Sequence, residues 1–187
     1  MSPTTHFSPL QGKQIFLAGF MATGKSKIGP ILAQRLNRTF VDTDELIVAS
    51  AGKSIPRIFA EDGEAAFRRI ERGCVARAAG MPDAVIALGG GAVTQEGNWD
   101  TIRASGVCLC LRASAETIST RLCRTEGERP LMAGMNDEER MEKIRSMLAV
   151  RAPYYARADA FVESSEHRTP EETVQLALTA LEGIEFQ

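Results

Sequence analysis

Residues 19–26 have the sequence GFMATGKS, which matches the phosphate-binding pattern G-x-x-x-x-G-K-[ST]. The apolar run at 15–18 directly before it predicts a buried strand, and apolar residues at helical spacing after it predict a helix that reaches about Asn37. In this strand–loop–helix context, backbone N–H groups and the positive end of the helix bind phosphate oxygens. The alternative is a glycine-rich turn that precedes a lysine by chance, and the context argues against it.

Two side chains of this phosphate loop, as we call residues 19–26, have predicted roles of their own. Lys25 is expected to reach the β- and γ-phosphates of a nucleotide, and the Ser26 hydroxyl is expected to hold Mg²⁺. The residues in and just after the loop that we expect to bind ATP are Gly19, Ala22, Thr23, Gly24, Lys25, Ser26 and Lys27.

Length and composition are those expected of one globular domain. The chain has 187 residues, of which 44% are hydrophobic, and a net charge of −2. This charge balance offers no basic footprint for nucleic acid or for a membrane surface. No long apolar run suggests a signal peptide or a membrane span, so we expect a cytoplasmic protein. Residues 1–12 are expected to form a flexible leader.

Apolar runs and helical patterns alternate along the chain. Strands are predicted at 14–18, 39–42, 84–88, 107–111 and 160–162, with helices between and after them. Short, apolar strands that alternate with helices indicate a parallel sheet covered by helices on both faces. Because ligands bind beyond the carboxyl ends of such strands, the residues that follow the first three strands should converge on one site. They are the phosphate loop, then Asp42 with Asp44, then Gly89, Gly90 and Gly91.

Asp42 and Asp44 follow the second strand, two positions apart. If the chain stays extended there, both carboxylates point to the same side. Asp42 is a natural Mg²⁺ partner because Mg²⁺ prefers oxygen ligands, and Asp44 could accept hydrogen bonds from substrate hydroxyls. The alternative is that Asp44 only caps the following helix.

Three further groups can each be interpreted in two ways. Arg68 and Glu71 lie three apart on a predicted helix at 63–79, where they form either a solvated charged face or part of a site. The three consecutive glycines favour close approach of a ligand to the backbone, although they could also form a plain turn. The loop at 124–136 is either a flexible surface segment or a lid that brings an arginine to a phosphoryl group; the arginines concerned are Arg124, Arg129 and Arg151.

From about Gln14 to Leu181, the chain resembles shikimate kinase. The resemblance rests on blocks in the family's order and at family-like spacing: LAGFMATGKS at 17–26, VDTDE at 41–45, IFAEDGE at 58–64, FRRIE at 67–71, LGGGAV at 88–93, RPL at 129–131 and RAPYY at 151–155. It implies a three-layer αβα P-loop kinase fold with five parallel strands in the order 2-3-1-4-5. It also implies a single domain, with a substrate-binding region at 43–80 and a mobile lid at 124–136.

The activity implied by the resemblance is ATP-dependent phosphorylation of the 3-hydroxyl of shikimate. On the nucleotide side, Lys25 and the loop amides hold the phosphates, and Ser26 and Asp42 serve Mg²⁺. Arg129 enters with the lid to neutralise the transferred group, and Arg124 packs near the adenine. We expect a monomer whose partners are ATP and shikimate.

The resemblance also implies an acceptor site. Asp44 binds the shikimate hydroxyls and orients or deprotonates the attacking one, so the implied catalytic residues are Lys25, Asp44 and Arg129. The implied shikimate-binding residues are Asp44, Arg68, Gly89, Gly90, Gly91 and Arg151, with Phe59 and Phe67 as an apolar wall and Glu71 fixing Arg68. The sequence departs from many family members at Ala22, where they have glycine, and alanine disfavours a positive φ.

Two other functions are compatible with the phosphate loop. One is another small-molecule kinase of the same architecture, such as a gluconate kinase. The Asp42 and Asp44 doublet, the block at 67–71 and the three glycines argue against it. The other is a catalytically silent nucleotide-binding protein. The joint presence of Lys25, Ser26, Arg68 and Arg129 with the two aspartates argues against that function.

Overall fold

Five short strands pair side by side in the computed structural model, which describes residues 10, 12–124 and 135–184. The strands are β1 (Gln14–Ala18), β2 (Thr39–Asp42), β3 (Ala84–Ala87), β4 (Gly106–Arg112) and β5 (Ala160–Glu163). Every pairing between them is parallel, and their order is β2-β3-β1-β4-β5. Ile15 of β1 lies opposite Val85 on one side and Val107 on the other. The predicted strand order is therefore confirmed.

Helices lie between and after the strands, as predicted, and the helix predicted at 63–79 has those bounds. They are α1 (Lys25–Leu36), α2 (Thr43–Ala51), α3 (Ile55–Glu61), α4 (Gly63–Ala79), α5 (Glu96–Ser105), α6 (Ala115–Cys123), α7 (Asp137–Tyr155) and α8 (Pro170–Glu182). A single 3-10 turn at Ala92–Thr94 precedes α5. Among the described residues, no helix is both long enough and apolar enough to cross a membrane.

Helices cover both faces of the sheet because successive strand residues point to opposite sides. On one face, Ile15 and Leu17 of β1 pack in a cluster with residues of α1 and α8. On the other face, Phe16 and Ala18 pack with residues of α4, α5, α6 and α7. The result is the three-layer α/β arrangement that the sequence predicts.

Two predicted segments fall largely outside the described residues. Of the predicted leader at 1–12, Leu10 and Gly12 are described, and Leu10 is fully buried in the cluster that contains α1 and α8. Of the predicted lid at 124–136, Arg124, Met135 and Asn136 are described. Arg129, the expected lid arginine, lies outside the described residues.

Candidate active site

The phosphate loop connects the end of β1 to the first turn of α1. Gly19 has φ 138° and Gly24 has φ 105°, both in the region that favours glycine. Gly24 is also the residue that precedes α1, so the loop places the N-terminus of that helix at the carboxyl edge of the sheet. Thr23 stabilises the turn through its buried hydroxyl, which donates a hydrogen bond of 2.8 Å to the Phe20 carbonyl.

Lys25 folds back over the phosphate loop. Its Nζ donates hydrogen bonds to the carbonyl oxygens of Gly19, at 2.8 Å, and Phe20, at 3.0 Å. The ammonium group therefore lies beside the loop rather than extending into solvent. This position adds a full positive charge to the partial charge of the α1 N-terminus.

Ala22 adopts the left-handed conformation that its side chain disfavours, with φ 61°. Its carbonyl oxygen accepts a hydrogen bond of 3.1 Å from Nη1 of Arg121 on α6. The departure from glycine at this position is thus accommodated without a change to a negative φ. The contact with Arg121 is one of the interactions that stabilise this strained conformation.

Ser26 and Asp42 meet across the cleft edge. The Ser26 hydroxyl donates to Oδ2 of Asp42 at 2.9 Å. Two oxygen ligands of this kind fit Mg²⁺, which binds through one or two protein oxygens and completes its shell with water and phosphate oxygens. In the described part of the chain, no group of three or more His, Cys, Asp or Glu residues could hold a metal ion.

The segment after β2 is not extended, so the condition under which the Asp42 and Asp44 carboxylates would point to the same side is not met. Helix α2 begins at Thr43, and Asp42 is its N-cap: the Asp44 N–H donates to Oδ1 of Asp42 at 2.9 Å. The capping role considered for Asp44 therefore belongs to Asp42. Asp44 faces the end of β3 instead, where a Cβ added at Gly89 would lie 2.8 Å from its Oδ1.

Arg68 and Glu71 form a partly buried ion pair rather than a solvated charged face. Nη1 of Arg68 lies 2.8 Å from Oε2 of Glu71, whose side chain is 1% exposed. Burial raises the pKa of the Glu71 carboxyl, against the opposing effect of Arg68. Burial also opposes the charge of Arg68, but its bonds to Glu71 and Glu64 leave its pKa above the ordinary value. Glu71 thereby fixes the direction of the Arg68 guanidinium.

We call Gly89, Gly90 and Gly91 the glycine turn. At these positions glycine is favoured because a side chain would approach neighbouring groups closely, not because the backbone conformation requires it. None of the three has a positive φ. A Cβ at Gly89 would approach Asp44, and one at Gly91 would lie 3.0 Å from Nη1 of Arg68. A Cβ at Gly90 would lie 3.3 Å from the Met21 amide nitrogen and 3.5 Å from Arg151. Each glycine therefore leaves room for one polar group of the site.

Arg151 reaches the glycine turn from α7. Its Nη1 donates to the Gly90 carbonyl at 3.1 Å, and its guanidinium carbon lies 5.3 Å from the centroid of the Phe20 ring. The same carbonyl accepts a hydrogen bond of 2.7 Å from the Tyr155 hydroxyl. Burial raises the pKa of Tyr155 to about 12, so this hydroxyl stays a donor at neutral pH.

Phe59 and Phe67 pack against each other below Arg68. Their ring centroids are 4.5 Å apart, and the Arg68 guanidinium carbon lies 5.1 Å from the centroid of the Phe67 ring. Phe67 is buried, whereas Phe59 is 39% exposed. The pair forms an apolar surface beside the guanidinium.

A cleft of about 410 Å³ lies beyond the phosphate loop. Of the residues predicted from sequence, its wall includes Ala22, Gly24, Lys25, Ser26, Lys27, Asp42, Asp44, Gly90 and Arg124. The predicted residues outside this wall are Gly19, Thr23, Phe59, Phe67, Arg68, Gly89, Gly91 and Arg151. Arg68, Gly89, Gly91 and Arg151 adjoin the cleft through Asp44 and the glycine turn.

Arg121 is a residue of the cleft that sequence reasoning missed. Besides the Ala22 carbonyl, it donates to the Ser164 hydroxyl at 3.0 Å and the Ser165 carbonyl at 3.0 Å, and it pairs with Glu166. Arg124, predicted to lie near the adenine, pairs with Glu166 at 2.8 Å. The helical spacing of α6 gave no signal that Arg121 would point to the loop, because its partners lie 43 to 99 residues away.

The chain is similar to known proteins in both sequence and fold. The family model described as "Shikimate kinase" matches residues 21–182. A shikimate kinase of Salinibacter ruber is 41% identical over 150 residues, which are 78% of this chain and 74% of that protein. The solved shikimate kinase from Bacteroides thetaiotaomicron has a TM-score of 0.86 and 32% identity, and the match covers 91% of this chain and 98% of that one.

A second solved structure was determined with a ligand. It is the shikimate kinase from Acinetobacter baumannii in complex with shikimate, with a TM-score of 0.78 and 30% identity. The match covers 95% of this chain and 98% of that one. With the strand order and the phosphate loop described above, these matches show that the chain belongs to the shikimate kinase family.

Proposed function

We propose that this protein is a shikimate kinase that transfers the γ-phosphoryl group of ATP to the 3-hydroxyl of shikimate. The observation that carries the proposal is the glycine turn, which borders Asp44, Arg68 and Arg151 next to the phosphate loop. Shikimate is a hydroxylated carboxylate, so its site needs hydroxyl acceptors and a guanidinium fork for the carboxylate. The family match, and the shikimate complex of the Acinetobacter baumannii relative, support the same substrate.

The donor side binds and orients ATP. The α1 N-terminus and the loop amides face the phosphates, and Lys25 exchanges its carbonyl partners for the β- and γ-phosphate oxygens. Ser26 and Asp42 would hold Mg²⁺, which would neutralise charge on the phosphates. Arg121 and Arg124 border the nucleotide half of the cleft, beside the Ser164 to Glu166 segment.

The acceptor side orients the attacking hydroxyl. Asp44 accepts hydrogen bonds from shikimate hydroxyls and directs the 3-hydroxyl at the γ-phosphorus. Arg68, held by Glu71, and Arg151, held by Gly90, bind the carboxylate. Phe59 and Phe67 contact the apolar face of the ring. Transfer then depends on positioning and charge stabilisation rather than on a covalent intermediate.

We also propose roles for the lid, the substrate-binding region and the whole protein. Residues 124–136 act as a lid over one kinase domain, and Arg129 enters with them to neutralise the transferred phosphoryl group. Residues 43–80 form the substrate-binding region. The protein acts as a monomer in the cytoplasm and requires neither nucleic acid nor a membrane, in keeping with its net charge of −2.

A coupled ADP-release assay with ATP, Mg²⁺ and shikimate tests the proposal, with gluconate and nucleoside monophosphates as competing acceptors. We expect shikimate-dependent ADP release and little release with the other acceptors.

Lys25→Met should abolish transfer and keep the fold, whereas Lys143→Met, at an exposed position on α7, should leave transfer unchanged. Shikimate should also raise the melting temperature, because it binds only the folded state. If millimolar shikimate neither stimulates ADP release nor raises the melting temperature, the substrate assignment is refuted.

A further inference from the structure

Thr43 occupies the position between Asp42 and Asp44, and its hydroxyl is completely enclosed by protein. The residue is 0% exposed. Its Oγ1 donates a hydrogen bond of 3.1 Å to the Ala87 carbonyl and accepts one of 3.0 Å from the Gly89 N–H. A single side chain thus satisfies two backbone groups of another segment.

These two hydrogen bonds replace the backbone pairing between β2 and β3 at the point where that pairing ends. The last residues paired between β2 and β3 are Asp42 and Ala87, and the next residue of the β2 side already belongs to α2. The chain after β3 therefore has no backbone partner on that side. The Thr43 hydroxyl supplies the missing donor and acceptor, while on the other side the Leu88 N–H donates to Leu17 of β1 at 3.0 Å.

Thr43 lies between two parts of the proposed acceptor site, which are Asp44 and the glycine turn with Arg151. Asp44 follows Thr43 directly, and Gly89 is the residue whose missing Cβ leaves room for the Asp44 carboxylate. The next residue, Gly90, provides the carbonyl that binds Arg151. The separation between Asp44 on one side and the glycine turn with Arg151 on the other is therefore set at Thr43.

We propose that Thr43 is a positioning residue for shikimate binding. Its hydroxyl holds the start of α2 against the glycine turn, so that Asp44 and Arg151 can bind the same substrate molecule. This role rests on the proposed function. Thr43 itself touches neither substrate, because its side chain is 0% exposed and its hydroxyl bonds the Ala87 and Gly89 backbone groups.

The test compares Thr43→Val, which replaces the hydroxyl by a methyl of similar size, with Thr43→Ser, which keeps the hydroxyl. In Thr43→Val we expect kcat/KM for shikimate to fall by roughly 10- to 100-fold, the effect of a displacement of about 1 Å between reacting groups. KM for ATP should change less than about threefold, because the phosphate loop is untouched. Thr43→Ser should recover most of the loss. Thr101→Val on α5, which removes a hydroxyl bonded only within its own helix, should behave as wild type.

A second measurement does not depend on activity. Hydrogen exchange of the Gly89 amide, followed by NMR, should accelerate in Thr43→Val and return towards wild type in Thr43→Ser. If Thr43→Val does not fold, Thr43→Ala replaces it in both measurements, since it removes the hydroxyl without adding an atom.

Unchanged Gly89 exchange would overturn the inference. So would a Thr43→Val protein that melts earlier but has wild-type kinetics below its melting temperature, which is the result of a purely structural role. A wild-type protein that does not phosphorylate shikimate would refute the proposed function instead, and the Gly89 exchange would still decide whether the hydroxyl holds the turn.

Discussion

The Ser26 hydroxyl donates a hydrogen bond to the carboxylate of Asp42, with Oγ and Oδ2 2.9 Å apart. This bond joins the first turn of α1 to the residue that ends β2 and caps α2. The phosphate loop and the start of the proposed acceptor site are therefore in direct contact. The two oxygens are also those that the proposed function assigns to Mg²⁺.

Asp42→Asn should separate the ionic role of Asp42 from its capping role. Asparagine caps helices about as well as aspartate, so stability should change little, but the negative charge is lost. We expect the Mg²⁺ concentration for half-maximal activity to rise by at least about 10-fold, measured as kcat against Mg²⁺ at saturating shikimate. Asp100→Asn, at an exposed position on α5, is the control. An unchanged Mg²⁺ requirement would show that Asp42 serves only the fold.

Gly89→Ala should reduce shikimate turnover because its new Cβ would lie 2.8 Å from the Asp44 carboxylate. We expect a loss of roughly 100-fold in kcat/KM for shikimate, since Asp44 must move away from its position. Gly73→Ala on α4 is the matched control, because its Cβ meets nothing within 4 Å. That variant should gain about 0.5 to 1 kcal/mol of stability and keep wild-type kinetics. Wild-type kinetics in Gly89→Ala would mean that Asp44 is not constrained by the turn.

Ala22→Gly should stabilise the protein, in contrast to most alanine-to-glycine changes. The residue has φ 61°, where the alanine side chain is strained and glycine is not. Loss of this backbone strain should raise the free energy of unfolding by up to about 1 kcal/mol in denaturant titrations. The gain is limited because glycine has more conformational freedom than alanine in the unfolded chain. Ala76→Gly, at an exposed position within α4, should lower it by about 1 kcal/mol. Equal losses in both variants would contradict a strained Ala22.

Glu71→Gln should change how stability depends on pH. The raised pKa means that folded Glu71 binds its proton more tightly than unfolded Glu71, so its contribution is full below the ordinary glutamate pKa and is lost as pH rises through the raised value. The unfolding free energy of wild type minus that of Glu71→Gln should therefore decrease with rising pH, by at most about 1.4 kcal/mol per pH unit. Denaturant titrations between about pH 4 and pH 8 measure this difference. A difference that grows with pH would mean that Arg68 outweighs burial.

Local patterns were sufficient for much of the fold. The phosphate loop, the alternation of apolar strands with helices, and the bounds of α4 follow from residue spacing, which acts over a few positions. Spacing alone left open whether the segment from Asp42 to Asp44 stays extended; it does not, because α2 begins at Thr43 with Asp42 as its N-cap. Spacing also could not decide whether Arg68 and Glu71 were solvated, because periodicity does not reveal which helix face another segment covers.

What the sequence by itself determined is the donor side: a strand, a glycine-rich loop and a helix N-terminus that are contiguous and need no distant partner. What only the tertiary structure decided is the acceptor side. There Thr43 meets Gly89, 46 residues away, and Arg151 meets Gly90, 61 residues away. The physical reason is that these contacts depend on parallel strands whose carboxyl ends meet at one edge of the sheet, and their pairing brings together residues that no local pattern connects.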